Sequence, residues 1–154
     1  MKERIEIIEP SPEIDKLQNV TVAELSAILP DSNSELIGSM AVPVSGKSEI
    51  DVMVVSSKVD KDSKLLSQKG YKQGPIVNGI SYLSAKKNGI RIDLQIIPVN
   101  HKMIEIHRQT LKKLRENSKL REGYQKLKKS LIGLSTEEYK KRKTEWIENN
   151  LLNN

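Results

Sequence analysis

The feature that most constrains this chain is a pair of carboxylates set two residues apart in a β-branched run. From Leu36 to Val55 the sequence reads LIGSMAVPVSGKSEIDVMVV, so Glu49 and Asp51 alternate with Ile50 and Val52. Side chains on a strand alternate between faces, so the two acids project side by side while the residues between them point to the other face. Like charges held together repel, and a divalent cation between them relieves the repulsion. Mg²⁺ is held by one or two carboxylates together with substrate phosphates. Just upstream, Gly38 and Ser39 open a loop broken by Pro43 and Gly46, and such a turn can aim backbone N–H groups at a phosphate.

A third acid extends the pattern. Asp93 lies in the run IRIDLQII at residues 90–97, and a lone carboxylate in a buried strand is costly unless it is paired or metal-bound. The expectation is that Glu49, Asp51 and Asp93 converge on one small volume, hold Mg²⁺ or Mn²⁺, and form the catalytic centre. The competing reading makes Glu49 a solvent-side residue and Asp51 and Asp93 strand-edge acids. An apolar-Gly-Ser element, nine residues, Glu-Ile-Asp-Val and a later apolar-Asp-apolar strand together resemble the signature of the DNA polymerase β-like nucleotidyltransferase superfamily. That resemblance implies a nucleoside triphosphate as ligand, with Gly38 and Ser39 against its phosphates.

Size and composition narrow the alternatives. With 154 residues, the chain reads as a single domain over 1–154 with a sizeable core. It has no Phe, one Trp and four Tyr, so Ile, Leu and Val must fill that core. The absence of Cys excludes disulfides and thiolate metal sites and fits a cytoplasmic location. The N-terminal MKERIEIIEP has no apolar signal region, and no run is long enough to span a bilayer. Residues 101–154 carry 14 Lys and Arg against 7 Asp and Glu. A basic half suits an anionic partner such as nucleotide phosphates or RNA, although well-solvated Lys-rich helices have the same composition.

Taken in order, Arg4 to Glu9 reads as a strand. Ser11-Pro12 then starts a helix with Ser as N-cap and Pro in the first turn, and Pro30 ends it. The acid strand follows, and after it a short helix around Lys61 to Lys69 and weak strands between Tyr71 and Gly79. A hairpin of Ile80–Ala85 and Ile90–Ile97 turns at Asn88-Gly89 and puts Asp93 in the same mixed sheet as Asp51. From His101 the apolar period changes to that of helices. Ile104, His107, Leu111 and Leu114 form one stripe; Leu120, Tyr124, Leu127 and Leu131 form another. Ser135 with Glu138 makes a capping box for the last helix, whose buried side is Tyr139, Trp146, Ile147 and Leu151. The fold class is α+β: a nucleotidyltransferase-like mixed sheet with N-terminal helices and a C-terminal three-helix segment.

Along its whole length the chain resembles the GrpB-like branch of that superfamily. The resemblance rests on IEIIEPSPE, on IGSMAVP at Ile37–Pro43, on Lys47 with Asp51, and on Gly70-Tyr71. It continues through Arg108, through Tyr124-x-x-Leu127-Lys128, and through Tyr139 with Lys143. It implies that Lys47 joins Gly38 and Ser39 at the phosphates, and that Arg108, Lys128 and Lys143 supply positive charge to a departing pyrophosphate. The chain departs from the family at Leu36, Met40, Val44 and Gln109, and at Asp93-Leu94-Gln95, where the family often has His-Leu-His. Met40 and Val44 remove a hydroxyl and a flexible Gly beside the phosphate turn, while Glu49 and Asp93 restore the acids of the wider superfamily.

Other motifs carry less. His101 and His107 are spaced wrongly for a zinc pair and read as surface or helix-boundary residues. Ser45-Gly46-Lys47-Ser48 imitates the end of a P-loop without its upstream Gly. The run Lys140 to Lys143 reads as a solvated helix face. Two functions follow. One is Mg²⁺-dependent transfer of a nucleoside monophosphate from a triphosphate to an unidentified acceptor, such as RNA or a small anionic metabolite. The other is a catalytically degenerate module of the same fold that binds a nucleotide or RNA.

Overall fold

The computed structural model describes residues 7–8, 11–38, 46–47 and 49–152. Their order is β1 (Ile7–Ile8), α1 (Pro12–Ile28), β2 (Asn33–Ile37), β3 (Gly46–Lys47), β4 (Glu49–Ser56), α2 (Val59–Gln68), β5 (Lys72–Val77), β6 (Ile80–Lys87) and β7 (Ile90–Pro98). Helices α3 (Lys102–Glu116), α4 (Ser118–Ser130) and α5 (Thr136–Ile147) follow, and a π-helical turn at Glu148–Leu152 ends the series. The expected strand at Arg4–Glu9 is seen as Ile7–Ile8, its remaining residues lying outside the described ones. Ser39, Met40, Pro43 and Val44 also lie outside them.

Local chemistry accounts for most element boundaries. Ser11 Oγ accepts the Ile14 N–H at 3.2 Å, and Pro12 follows it in the first turn, where a missing N–H costs nothing. The C-cap of α1 is Leu29, just before Pro30. Ser135 Oγ accepts the Glu138 N–H at 3.3 Å, as the capping-box spacing predicts. Both Asn-Gly pairs close hairpins: Asn78 and Gly79 have φ of 53° and 82°, and Asn88 and Gly89 have φ of 53° and 78°. Two successive positive φ angles are what a tight hairpin joining right-twisted strands requires.

Five strands form one mixed sheet in the order β2-β4-β7-β6-β5. The central pair, β4 and β7, runs parallel, and Asp51 stands directly opposite Asp93. Strand β2 pairs antiparallel with β4 on the outer side and places Ile37 opposite Asp51. A separate two-stranded ribbon joins β1 and β3.

Strand parity divides the core in two. Ile50, Val52, Val54, Ile92, Leu94 and Ile96 are fully buried and pack with Leu25 and Leu29, at the end of α1, and with Leu66 of α2. Each such side chain contributes about 1.5–3 kcal/mol relative to exposure. On the opposite face Ile37, Met53, Ile80 and Ile97 pack with Ile104, Leu111 and Leu114 of α3 and Tyr124 of α4. The three C-terminal helices therefore cover the face that carries the acids. No helix among the described residues is long and apolar enough to cross a membrane.

Candidate active site

The three acids come together. One carboxylate oxygen from each of Glu49, Asp51 and Asp93 lies within 4.8 Å of the others. The parallel register explains it, since Asp51 and Asp93 are cross-strand partners on one face and Glu49 precedes Asp51 by two residues on that same face. Burial raises the Asp51 carboxyl to about 7, with Glu49 and Asp93 pushing it further up and Lys143 and Lys128 pulling it down. Asp93 is raised as well, first by burial, against a lowering hydrogen bond from Arg91, and further by a hydrogen bond shared with Glu49. Arg91 Nε donates to Asp93 Oδ1 at 2.7 Å. The donor set is all carboxylate, with repulsion held inside a partly buried cluster. Such a set fits a hard divalent cation.

Gly38 abuts this cluster. A Cβ at Gly38 would stand 2.6 Å from Asp51 Oδ2, and its φ is +78°. Only a residue without a side chain lets β2 pass this close to the carboxylate in that conformation. The Ser39 assignment lies outside the described residues. Lys47 is described as a strand residue in β3, paired with Ile7, without its side chain.

The basic residues divide into those brought to the acids and one that is not. Lys143 of α5 is partly exposed, and its charge lowers Asp51 and His107 alike, which puts it near both. This corrects the reading of Lys140–Lys143 as a uniformly solvated face. Lys140, Lys141 and Arg142 are exposed, while Lys143 sits one turn after buried Tyr139 and shares its side of the helix. Lys128 goes further inward, only 2% exposed, with Nζ 4.9 Å from the Tyr124 ring centroid and 5.9 Å from that of Tyr139. Arg108 is not brought to the acids. It pairs with Glu35 on the edge strand β2 through Nε–Oε1 at 3.1 Å and Nη2–Oε2 at 2.6 Å. Glu35 partners Met53, one step beyond the Ile37–Asp51 pair on the same face.

Several members of the site were not legible as such. His107 is neither a surface nor a boundary residue: it is partly buried in the middle of α3, with Nε2 3.0 Å from Gln95 Oε1. That amide oxygen accepts, so the ring proton sits on Nε2. Burial, and then the Lys143 charge, lower the His107 pKa. Gln95 follows Asp93 by two residues and shares its face. His101 does mark a boundary, its Nδ1 accepting the Met103 N–H at the start of α3 at 3.1 Å. Tyr124 and Tyr139 are near enough to the acids to feel their charge, and burial first of all pushes both hydroxyls well up. Tyr124 also lies against Trp146, with ring centroids 5.2 Å apart. The available signal was the spacing Tyr-x-x-x-Lys, which occurs once on α4 and once on α5 and puts each Lys on the same helical side as its Tyr.

Comparison with known proteins places the molecule. A UPF0157 protein of Vibrio cholerae serotype O1 is 32% identical over 130 residues, covering 81% of this chain and 69% of that protein. The crystal structure of conserved protein GrpB from Enterococcus faecalis superposes with a TM-score of 0.73 at 24% identity, over 94% of this chain and 98% of that one. The poly(U) polymerase Cid1 matches 78% of this chain with a TM-score of 0.53 at 20% identity, and this chain spans 39% of that polymerase. The model of the family described as GrpB protein matches residues 4–152. The chain belongs to the GrpB family, and its mixed sheet and helices have a nucleotidyltransferase-like fold.

Proposed function

We propose that this protein transfers a nucleoside monophosphate from a nucleoside triphosphate to a hydroxyl or phosphate oxygen of an acceptor, RNA or a small anionic metabolite. The observation that carries the reading is the convergence of Glu49, Asp51 and Asp93 on two parallel strands beside Gly38. Support also comes from the fold shared with Cid1, which has been described in complex with the UTP analog UMPNPP. Glu49, Asp51 and Asp93 would hold Mg²⁺, or Mn²⁺ in its place. The ion would neutralise charge on the phosphates and polarise the phosphorus–oxygen bond under attack.

The chain's own residues do the remainder. Gly38, at the end of β2 beside Asp51, and Ser39, expected there from the sequence, offer polar groups to the phosphates. Lys143, partly exposed beside Asp51, provides the positive charge needed where pyrophosphate departs. Asp93, its carboxyl raised by burial and oriented by Arg91, takes the acceptor's proton. In the step itself the acceptor oxygen bonds to the α-phosphorus, the α–β bridging bond breaks, and pyrophosphate leaves with that electron pair. The buried α4–α5 layer above the acids excludes water that would otherwise hydrolyse the triphosphate.

The test incubates the protein with each α-labelled nucleoside triphosphate, UTP first, plus Mg²⁺ or Mn²⁺ and pools of RNA and small metabolites. Label transferred by the wild type and not by Asp51→Asn supports the enzyme. Binding without transfer or pyrophosphate release for all four nucleotides would replace it with the nucleotide-binding module.

A further inference from the structure

We infer, resting on the reading of the three acids as a nucleotidyl-transfer centre, that the acceptor is single-stranded RNA. Its 3′ end reaches Asp93 across Ser84, and Lys72 and Lys86 hold its phosphates. Of the two acceptor classes proposed above, the layout of the sheet selects the polymer.

Cross-strand register lays the acid face out in rows. One row runs Ile37, Asp51, Asp93, Ser84 and Lys72 across β2, β4, β7, β6 and β5. The row beside it runs Glu49, Arg91 and Lys86. Residues opposite one another project from the same face, so Ser84, Lys72 and Lys86 share the side of the acids. Further along the strands that face is closed, where Met53, Ile97 and Ile80 pack under the C-terminal helices. In the two rows of the acids, Ser84 and Asp93 are partly exposed and Lys72, Lys86 and Arg91 are exposed. Strand β5 is exposed at every position. The acids therefore stand at one end of a polar lane that continues over β6 and β5 to an open sheet edge.

In-line geometry gives the lane its direction. Attacking and leaving oxygens lie on opposite sides of the transferred phosphorus. Gly38, at the end of β2, borders Asp51 and marks the triphosphate side in the function proposed above. The acceptor then enters from the other side, where Asp93 is followed by Ser84. The sign of charge changes along that path. Arg91 is taken up by Asp93, and Lys87 turns to Glu24 on the reverse face of the sheet. Lys72 and Lys86 carry the positive charge of the lane beyond Asp93, and neither faces a carboxylate across the ladder. They are offset by one strand and one row, roughly 8 Å between backbone positions. Two cations so spaced on an open surface suit successive phosphates of a chain, whereas small ligands are held in concave pockets.

The experiment measures binding of a fluorescent oligoribonucleotide of about 12 nucleotides to the full chain, without nucleotide, over a series of salt concentrations. Lys72→Gln combined with Lys86→Gln should weaken binding about tenfold and lower the slope of log affinity against log salt by about 1.4, two phosphate contacts at ~0.7 each. Lys140→Gln combined with Lys141→Gln, on the exposed side of α5, should change neither. The same oligonucleotide with a photoreactive uridine at its 3′ end, irradiated on the wild-type protein, should crosslink within the β6–β7 hairpin. Equal binding by wild type and the Lys72/Lys86 variant would overturn the lane. So would loss of binding in the Lys140/Lys141 variant alone, or a crosslink confined to α4 or α5. Label transfer separates this inference from the function on which it rests. Transfer to a small metabolite by a protein that binds no RNA keeps the enzyme and overturns the lane. RNA binding through Lys72 and Lys86 without transfer of any nucleotide overturns the enzyme and keeps the lane as the RNA surface of a binding module.

Discussion

On β4 the even-numbered Ile50, Val52 and Val54 are fully buried beneath α1 and α2, while the odd-numbered Glu49 and Asp51 stand partly exposed under the C-terminal helices. Strand β7 repeats the division, with Ile92, Leu94 and Ile96 on one face and Asp93 and Gln95 on the other. The same strands thus serve two purposes through alternation alone. One face is an aliphatic core whose burial holds the sheet. The opposite face concentrates like charge, which costs stability and is partly offset by Lys128, Lys143 and Arg91. The difference teaches that the stability needed to keep three carboxylates together is supplied through the sheet from the reverse side.

Substitutions on the two faces should separate stability from chemistry, and this is where the largest effects are expected. Leu94→Ala should cost about 2–5 kcal/mol by loss of buried area and creation of a cavity, measured by urea denaturation. Asp51→Asn should leave the fold as stable as wild type, or more stable, at pH 8. Yet it should abolish Mn²⁺ binding and reduce any nucleotidyl transfer by more than the ~10–100-fold seen when a supporting partner of a metal ligand is lost. A denaturation midpoint for Asp51→Asn as low as that of Leu94→Ala would break the division.

The pH dependence of stability sharpens the same contrast at intermediate size. In the unfolded chain Asp51 should ionise near about 3.9, whereas in the folded protein its carboxyl is raised to about 7. Between these values the folded state holds a proton that the unfolded state has lost. Stability from this group is therefore present at low pH and declines as pH rises toward 7. Thermal melts of wild type minus Asp51→Asn should show that decline. Mn²⁺, by replacing the proton, should raise the wild-type melting temperature at pH 8 and hardly at pH 5. An equal rise at both pH values would contradict the assignment.

The smallest effect is expected at Arg108. Its pair with Glu35 is at the surface, and exposed pairs contribute within ~1 kcal/mol. Arg108→Ala should leave both Mn²⁺ affinity and stability close to wild type. Loss of metal or nucleotide binding in this variant would restore Arg108 to the site, in keeping with its place in the sequence signature.

What the sequence by itself determined is whatever depends on near neighbours along the chain. The alternation around Glu49 and Asp51, the two Asn-Gly turns, the Ser11-Pro12 and Ser135 caps and the change to helical period after His101 are all set within a few residues. Each appears in the structure for the local reason that made it legible. Whether Asp93 meets Asp51 depends instead on the parallel register of β4 and β7, which the intervening helix and hairpin must deliver. The fate of the cations was decided later still. Lys128, Lys143 and Arg108 all lie on amphipathic helices, and nothing in their composition distinguishes a solvated ammonium from a buried one. Packing of α4 against α5 sets the Lys128 ammonium beside the rings of two tyrosines and brings the Lys143 charge within reach of Asp51, while Arg108 is left with Glu35. A helix can cover the sheet at several rotations, and only the combined burial of Tyr124, Tyr139 and their neighbours selects the one that places charge where the carboxylates need it.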